Sequence, residues 1–307
     1  MTFSALQILF FHLWVYIFPG NEIEAFIRQT AYIGVDVFFF LSGYSLSYRK
    51  IDNYKEFVSS RIRSVYLKFI LFALVAWSIK NWSFLHFFKI ASGINLLQKG
   101  GGAFLWFLPF IMILYLVFPI FQKAHHKAPF LTGILITTGW IIIGLLVTIF
   151  TSYTSMFIFW NRIPIFLLGF YFANTDFFKK ILQNKYLCLI LGLFLFSCGE
   201  ILLYFYGYKN KIMIPFVDTF YIIAIPAAMG VILVCSLIPE NKLIKEIGSS
   251  TLEMYAIQMI FGYALANKLI ILSLPTAWVN LFTFSIVIIS SIFINRLLNM
   301  IIKRFFV

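Results

Sequence analysis

The sequence predicts an all-α protein, a polytopic transmembrane bundle of about ten helices. Three observations carry this. The 307 residues are 62% hydrophobic, with a mean hydropathy of +0.95. Only 11% are charged, less than half the share usual in a soluble domain. The apolar residues also come in continuous, evenly spaced runs, unlike the alternation of a membrane β-barrel. That spacing points to one integral membrane domain over 1–307, although the length alone would fit two soluble domains.

With about 20 apolar residues per crossing as the ruler, the first five runs lie at Phe3–Phe18, Ala31–Tyr48, Val65–Ile79, Phe104–Phe121 and Pro129–Phe150. The second five lie at Met156–Ala173, Tyr186–Tyr206, Val217–Ile238, Thr251–Ser273 and Ala277–Met300. The first run has no basic segment before it and no small-residue cleavage site after it, so it reads as a retained span and not a signal peptide. Trp77 to Trp82 and Phe84–Ile94 carry the aromatics and lysines of a helix at headgroup level. Gly100-Gly101-Gly102 enters the fourth run and lacks the Lys-Ser/Thr of a phosphate loop.

The net charge of +13 belongs to loops that orient the spans and face anionic lipid; no nucleic acid partner is expected. Counted loop by loop, fourteen Lys and Arg fall on the side of both termini and six on the other, which places both termini in the cytoplasm of a multi-pass protein of the inner membrane. The loop holding Lys80, Lys89 and Lys99 runs against that bias. Cys188, Cys198 and Cys235 sit inside apolar runs without metal-ligand or CxxC spacing, so neither a disulfide nor a metal site is expected.

The chemistry-bearing residues stand out against this background. Gly34–Ser47, GVDVFFFLSGYSLS, carries a carboxylate at Asp36 inside a membrane-grade run. An ionisable group costs about 2.5–3.5 kcal/mol at the centre of a span, so Asp36 requires a partner, water or a cavity. His12 lies inside the preceding run, about 16 Å from Met1 at 1.5 Å per residue. On the ten-span topology His12, Asp36, Arg162, Glu200 and Asp218 converge on one depth in the outer half, whereas Arg61 and Arg63 lie on the cytoplasmic side. A buried neutral imidazole can serve as a general base, with Asp36 to orient it. A guanidinium pair can hold phosphates. The plainer readings remain beside these: a packed structural histidine, an interhelical hydrogen bond from Asp36, positive-inside anchoring by the two arginines, and close helix packing at Gly34, Ser42 and Gly43.

These segments resemble the membrane-bound acyltransferase 3 family, whose members O-acylate surface carbohydrates. GVDVFFFLSGYSLS is similar to its glycine-aspartate-aromatic Ser-Gly motif, the run ending at His12 to its first-helix motif, and Ser60–Tyr66 to its basic motif. Leu105–Pro109 with Tyr115 and Pro119, Asn161–Phe166 with Gly169, and Ile247–Tyr255 are similar to later segments, in the family order. The chain departs from the pattern at Met1, in the slot of the first-helix arginine, and at Ser64, Leu67 and Gln258. The resemblance implies a catalytic His12 supported by Asp36, with Arg61 and Arg63 on the donor phosphates. Arg162, Ser42, Trp106, Glu253 and Tyr255 would shape the site. It further implies acyl-CoA, acetyl-CoA in the first instance, as a donor substrate with no bound cofactor. The acceptor would be a surface polysaccharide or its lipid-linked sugar precursor, the surroundings a lipid bilayer, and a homo-oligomer is allowed. Two other classes stay open on the residues alone: a lipid-linked oligosaccharide flippase, polymerase or transporter, and a truncated, inactive relative of the acyltransferases.

Overall fold

A computed structural model describes residues 1–150, 156–209, 213–214 and 217–306. The chain begins with α1 (Thr2–Leu13), α2 (Glu22–Thr30) and α3 (Gly34–Ser47). Next comes the long α4 (Tyr54–Lys80), followed by the short α5 (Phe84–Ala91) and α6 (Ile94–Lys99). The middle of the chain forms α7 (Phe107–Lys127), α8 (Pro129–Phe150), α9 (Phe157–Ala173) and α10 (Asp176–Gln183). The last part forms α11 (Lys185–Tyr208), α12 (Thr219–Ser236), α13 (Lys242–Ser249), α14 (Thr251–Ile271) and α15 (Thr276–Phe306). A two-residue antiparallel ladder, Met213–Ile214 with Val217–Asp218, joins α11 to α12; the Asp218 side chain lies outside the described residues.

Each of the ten apolar runs yields a helix, and among the described residues six are long and apolar enough to cross a bilayer: α4, α7, α8, α11, α14 and α15. This is a multi-pass membrane protein. The other four runs form α1, α3, α9 and α12, which are shorter. At 12 residues, α1 is about 18 Å long against a hydrocarbon core of about 30 Å.

The first run is therefore not helical to Phe18, because other partners take the backbone groups that would continue α1. The N–H groups of Ile17 and Phe18 donate to Glu24 at 2.8 and 2.9 Å, and Val15 N–H donates to Asn280 Oδ1 at 2.7 Å. The third run departs the other way. Its helix starts at Tyr54, capped by Asn53, so Arg61 and Arg63 ride on the span itself and not on a loop before it. The headgroup-level segment is α5 and α6, with Trp77 Nε1 donating to the Trp82 carbonyl at 2.7 Å where α4 ends.

From Asp36 beside Arg162 to Ser47 beside Asn174, α3 and α9 run parallel. Their close approach depends on absent side chains: a Cβ on Gly43 would lie 2.0 Å from the Phe166 carbonyl oxygen, and one on Gly169 2.1 Å from that of Phe40. The consecutive α11 and α12 run antiparallel and meet at Gly199 against Ala227 and Gly230 against Phe196. At one face of the molecule α13 takes Thr2 Oγ1 on the Ile244 carbonyl, 2.6 Å, and Arg296 on Glu246, 2.7 Å. Both ends of the chain thus reach that face, called the termini face below. The apolar core divides into two clusters, one built on α3, α7, α9, α11 and α12, the other on α1, α4, α14 and α15. The seam between them positions the site.

Candidate active site

The four short helices carry the polar residues of the site and bring their ends together. Leu13 ends α1 one residue after His12, Asp36 is in the first turn of α3, and Tyr221 is near the start of α12. In α9 the helix is interrupted at Asn161-Arg162. Pro164 causes that break, since it has no N–H to offer the Trp160 carbonyl four residues back. Trp140 Nε1 takes this carbonyl instead, at 3.0 Å. Helix ends inside a membrane are tolerated where they are buried in protein or line a cavity.

Arg162 is fully buried, with Nε 3.1 Å from Asp36 Oδ1. The contact is off the hydrogen-bonding direction, so both Asp36 oxygens and Arg162 Nη2 keep unused capacity. A second guanidinium nitrogen, Nη1, donates to the Ile158 carbonyl. Three rings surround the cation, with centroids 4.4 Å (Tyr221), 5.1 Å (Tyr32) and 5.5 Å (Trp106) from Cζ. The desolvation that would penalise a buried ion is thus met by a carboxylate, a carbonyl and π faces together. The partner that the structure gives Asp36 is Arg162, and no contact between Asp36 and His12 is seen among the described residues.

His12 is half-buried. Its ring lies edge-on to Phe11, and the Tyr255 ring is 6.5 Å away. Beside it, Arg28 Nε donates to the Phe11 carbonyl at 3.1 Å and Arg28 Nη1 to the Tyr16 hydroxyl at 3.1 Å, so a cation closes the exposed end of α1. Arg28 was legible only as a loop charge.

Two cavities meet at His12. One, about 170 Å³ and largely apolar, runs toward the termini face and is lined by Ser42, Trp106, Tyr115, Tyr255 and Gln258 among others, with Met1 at its far end. The other, about 490 Å³, lies on the opposite side and is lined by Gln29, Tyr32, Ile158, Arg162, Tyr208 and Tyr221. Ile8, His12, Val35 and Trp106 face both. The triple glycine sets Trp106 in this wall: Gly100–Gly102 forms a 3-10 turn against Ile158, and Leu105 follows at φ 49°.

Of the residues singled out in the sequence, His12, Ser42, Trp106 and Tyr255 border the first cavity, and Asp36 pairs with Arg162 on the second. Arg61 stacks its guanidinium over Tyr115 at 4.9 Å and Phe57 at 5.2 Å, at the end of the first cavity. Arg63 sits in the π-helical turn Ile62–Tyr66. Glu253 does not face either cavity. It is buried against Lys68 at 2.6 Å, and Lys68 also donates to Asn295 Oδ1 at 2.9 Å. Lys68 lies in the run at Val65–Ile79, and the sequence alone gives no sign that its partner is Glu253 on α14. Three further π-type or interrupted segments, Ile62–Tyr66, Leu203–Lys209 and Gln258–Gly262, each supply a cavity residue: Val65, Tyr208 and Gln258.

A family model described as an acyltransferase domain matches residues 2–298. The chain belongs to the membrane-bound acyltransferase-3 family. No curated protein and no solved structure matches it.

Proposed function

We propose that this acyltransferase-3 protein is an O-acyltransferase that moves an acyl group, acetyl in the simplest case, from acyl-CoA on the cytoplasmic side to a hydroxyl of a surface polysaccharide or its lipid-linked precursor. The observation that supports this most is the position of His12 on the wall common to the two cavities. The apolar cavity toward the termini face suits a thioester arm. The larger one, with its aromatic faces and the Arg162–Asp36 pair, suits a hydroxylated ring.

In this reading the acceptor hydroxyl gives its proton to an imidazole nitrogen of His12 as its oxygen attacks the thioester carbonyl carbon. The negative charge that develops on the carbonyl oxygen then faces a buried guanidinium with unused donor capacity at Nη2. Collapse breaks the C–S bond, and the departing thiolate takes the proton back from the imidazolium. Asp36 keeps Arg162 in place, and Trp106, facing both cavities, orients the two substrates.

Removing a general base lowers the rate about 10²–10⁴-fold. The test is mass spectrometry of the surface glycan from a deletion strain complemented with wild type or His12→Ala. Ester restored by wild type alone is the expected result. Ester restored equally by His12→Ala removes the mechanism, and an unchanged ester pattern on a shortened glycan favours a flippase or polymerase.

A further inference from the structure

A second site lies at the termini face, outside the cavities that meet at His12. The loop 48–54 and the last turns of α7 enclose a groove of about 970 Å³. Four cations line it, Arg49, Lys50, Lys123 and Lys127, with His126 beside them. One carboxylate, Asp52, stands against them and pairs with Lys50 at 3.5 Å. The groove has fixed walls. Buried Gln122 donates to the Arg49 carbonyl at 2.8 Å, Tyr54 OH to the Leu116 carbonyl at 3.3 Å, and Tyr48 OH to the Ala173 carbonyl at 3.2 Å.

Its position is what gives it meaning. Seven residues are almost two full turns of helix, so positions seven apart share a face about 10 Å apart. On α7, Tyr115 lines the apolar cavity and Gln122, seven positions on, lines the groove; α3 carries Ser42 in the cavity and ends at Ser47, so that Tyr48 and Arg49 just beyond it line the groove. On α4 the same face carries Val65 in the cavity, Arg61 between, and Tyr54 in the groove. Three elements thus lead from cavity to groove along one line. Arg61 stands at the joint over Tyr115, with its Nε buried and without a hydrogen-bond partner.

We infer that this groove binds the phosphate-bearing nucleotide end of the thioester donor, whose arm passes Arg61 into the cavity below His12; the inference rests on the donor proposed above. Four cations match several phosphate charges, and the exposed rings of Tyr48 and Tyr54 offer a face to a purine. Anionic lipid headgroups carry the same phosphate chemistry and are the other source to be distinguished.

The experiment is calorimetric titration of the full chain in nanodiscs, made either of phosphatidylcholine alone or with added phosphatidylglycerol, using CoA, dephospho-CoA and pantetheine as probes. The groove variant is Arg49→Glu with Lys123→Glu, and Arg49→Gln with Lys123→Gln is the milder form. Lys179→Glu with Lys180→Glu, on α10, is the charge-matched control. The expected result is that both groove variants weaken CoA binding at least tenfold in both discs, leave pantetheine binding unchanged, and differ from the control, which binds CoA as wild type does. Equal CoA affinity for wild type and groove variants overturns the groove assignment while the donor stands. An effect seen only with phosphatidylglycerol makes the groove a lipid site and overturns the assignment as well. Wild type that binds no CoA in either disc overturns the proposed donor together with it.

Discussion

Lys68 Nζ lies 2.6 Å from Glu253 Oε1, and neither side chain is more than a tenth exposed. The pair ties α4 to α14, and the Asn295 contact extends it to α15. Removing one member of a buried pair leaves an uncompensated charge and costs about 3–5 kcal/mol, whereas an apolar pair of similar volume is close to neutral. Lys68→Met or Glu253→Gln alone is therefore expected to lower the unfolding midpoint in mixed detergent-SDS micelles, and Lys68→Met with Glu253→Leu to restore most of it. Single variants with wild-type midpoints would contradict a desolvated pair.

The Arg162 cation is expected to be specific to arginine. A lysine ammonium cannot meet Asp36, the Ile158 carbonyl and three ring faces at once. Arg162→Lys is expected to reduce acyl transfer at least tenfold while the protein still inserts, as read from transfer rates and membrane yield together. Transfer at the parental rate would show that charge alone suffices.

Close packing of α3 on α9 gives a steric prediction. The Cβ of Gly43→Ala or Gly169→Ala would sit about 2 Å from a backbone carbonyl oxygen, far inside contact distance. Separation of the two helices would pull Asp36 from Arg162 at the far end of the same pair. Each variant is expected to lose at least the roughly 1–3 kcal/mol typical of overpacking, measured by thermal unfolding in detergent, and to lose transfer activity in parallel. Val at either position is expected to be worse than Ala.

Glu24 gives a pH dependence outside the spans. Desolvation pushes its carboxyl up, but hydrogen bonds from Ile17 N–H, Trp14 Nε1 and Phe18 N–H outweigh this and hold it below its ordinary 4.5. A carboxylate with a depressed pKa stabilises the folded loop above its unfolded value, and this contribution is lost as pH falls through the depressed one. Trp14 fluorescence is expected to change in that acid window in wild type and not in Glu24→Gln. A transition of equal size in the variant would assign it to another group.

The helical runs, and the polar residues set inside them, were legible in the sequence. Hydropathy is a sum over many residues, so a single polar side chain inside a run does not erase it. The depth shared by His12, Asp36 and Arg162 also followed from residue counts along the spans. Partner choice did not. Asp36 faces Arg162, and Glu253 faces Lys68, because helices distant in the chain are neighbours in space.

By itself, then, the sequence determined a multi-pass helical bundle with buried polar groups near one depth, because the cost of placing charge and backbone in hydrocarbon acts residue by residue. Tertiary structure alone decided that four of the helices stop short and that their ends build one site. It also set which charge pairs with which and made His12 the wall between two cavities. Those features depend on helix crossings fixed by contacts such as Gly43 on Phe166 and Gly169 on Phe40, and a one-dimensional pattern carries no record of which helices will touch.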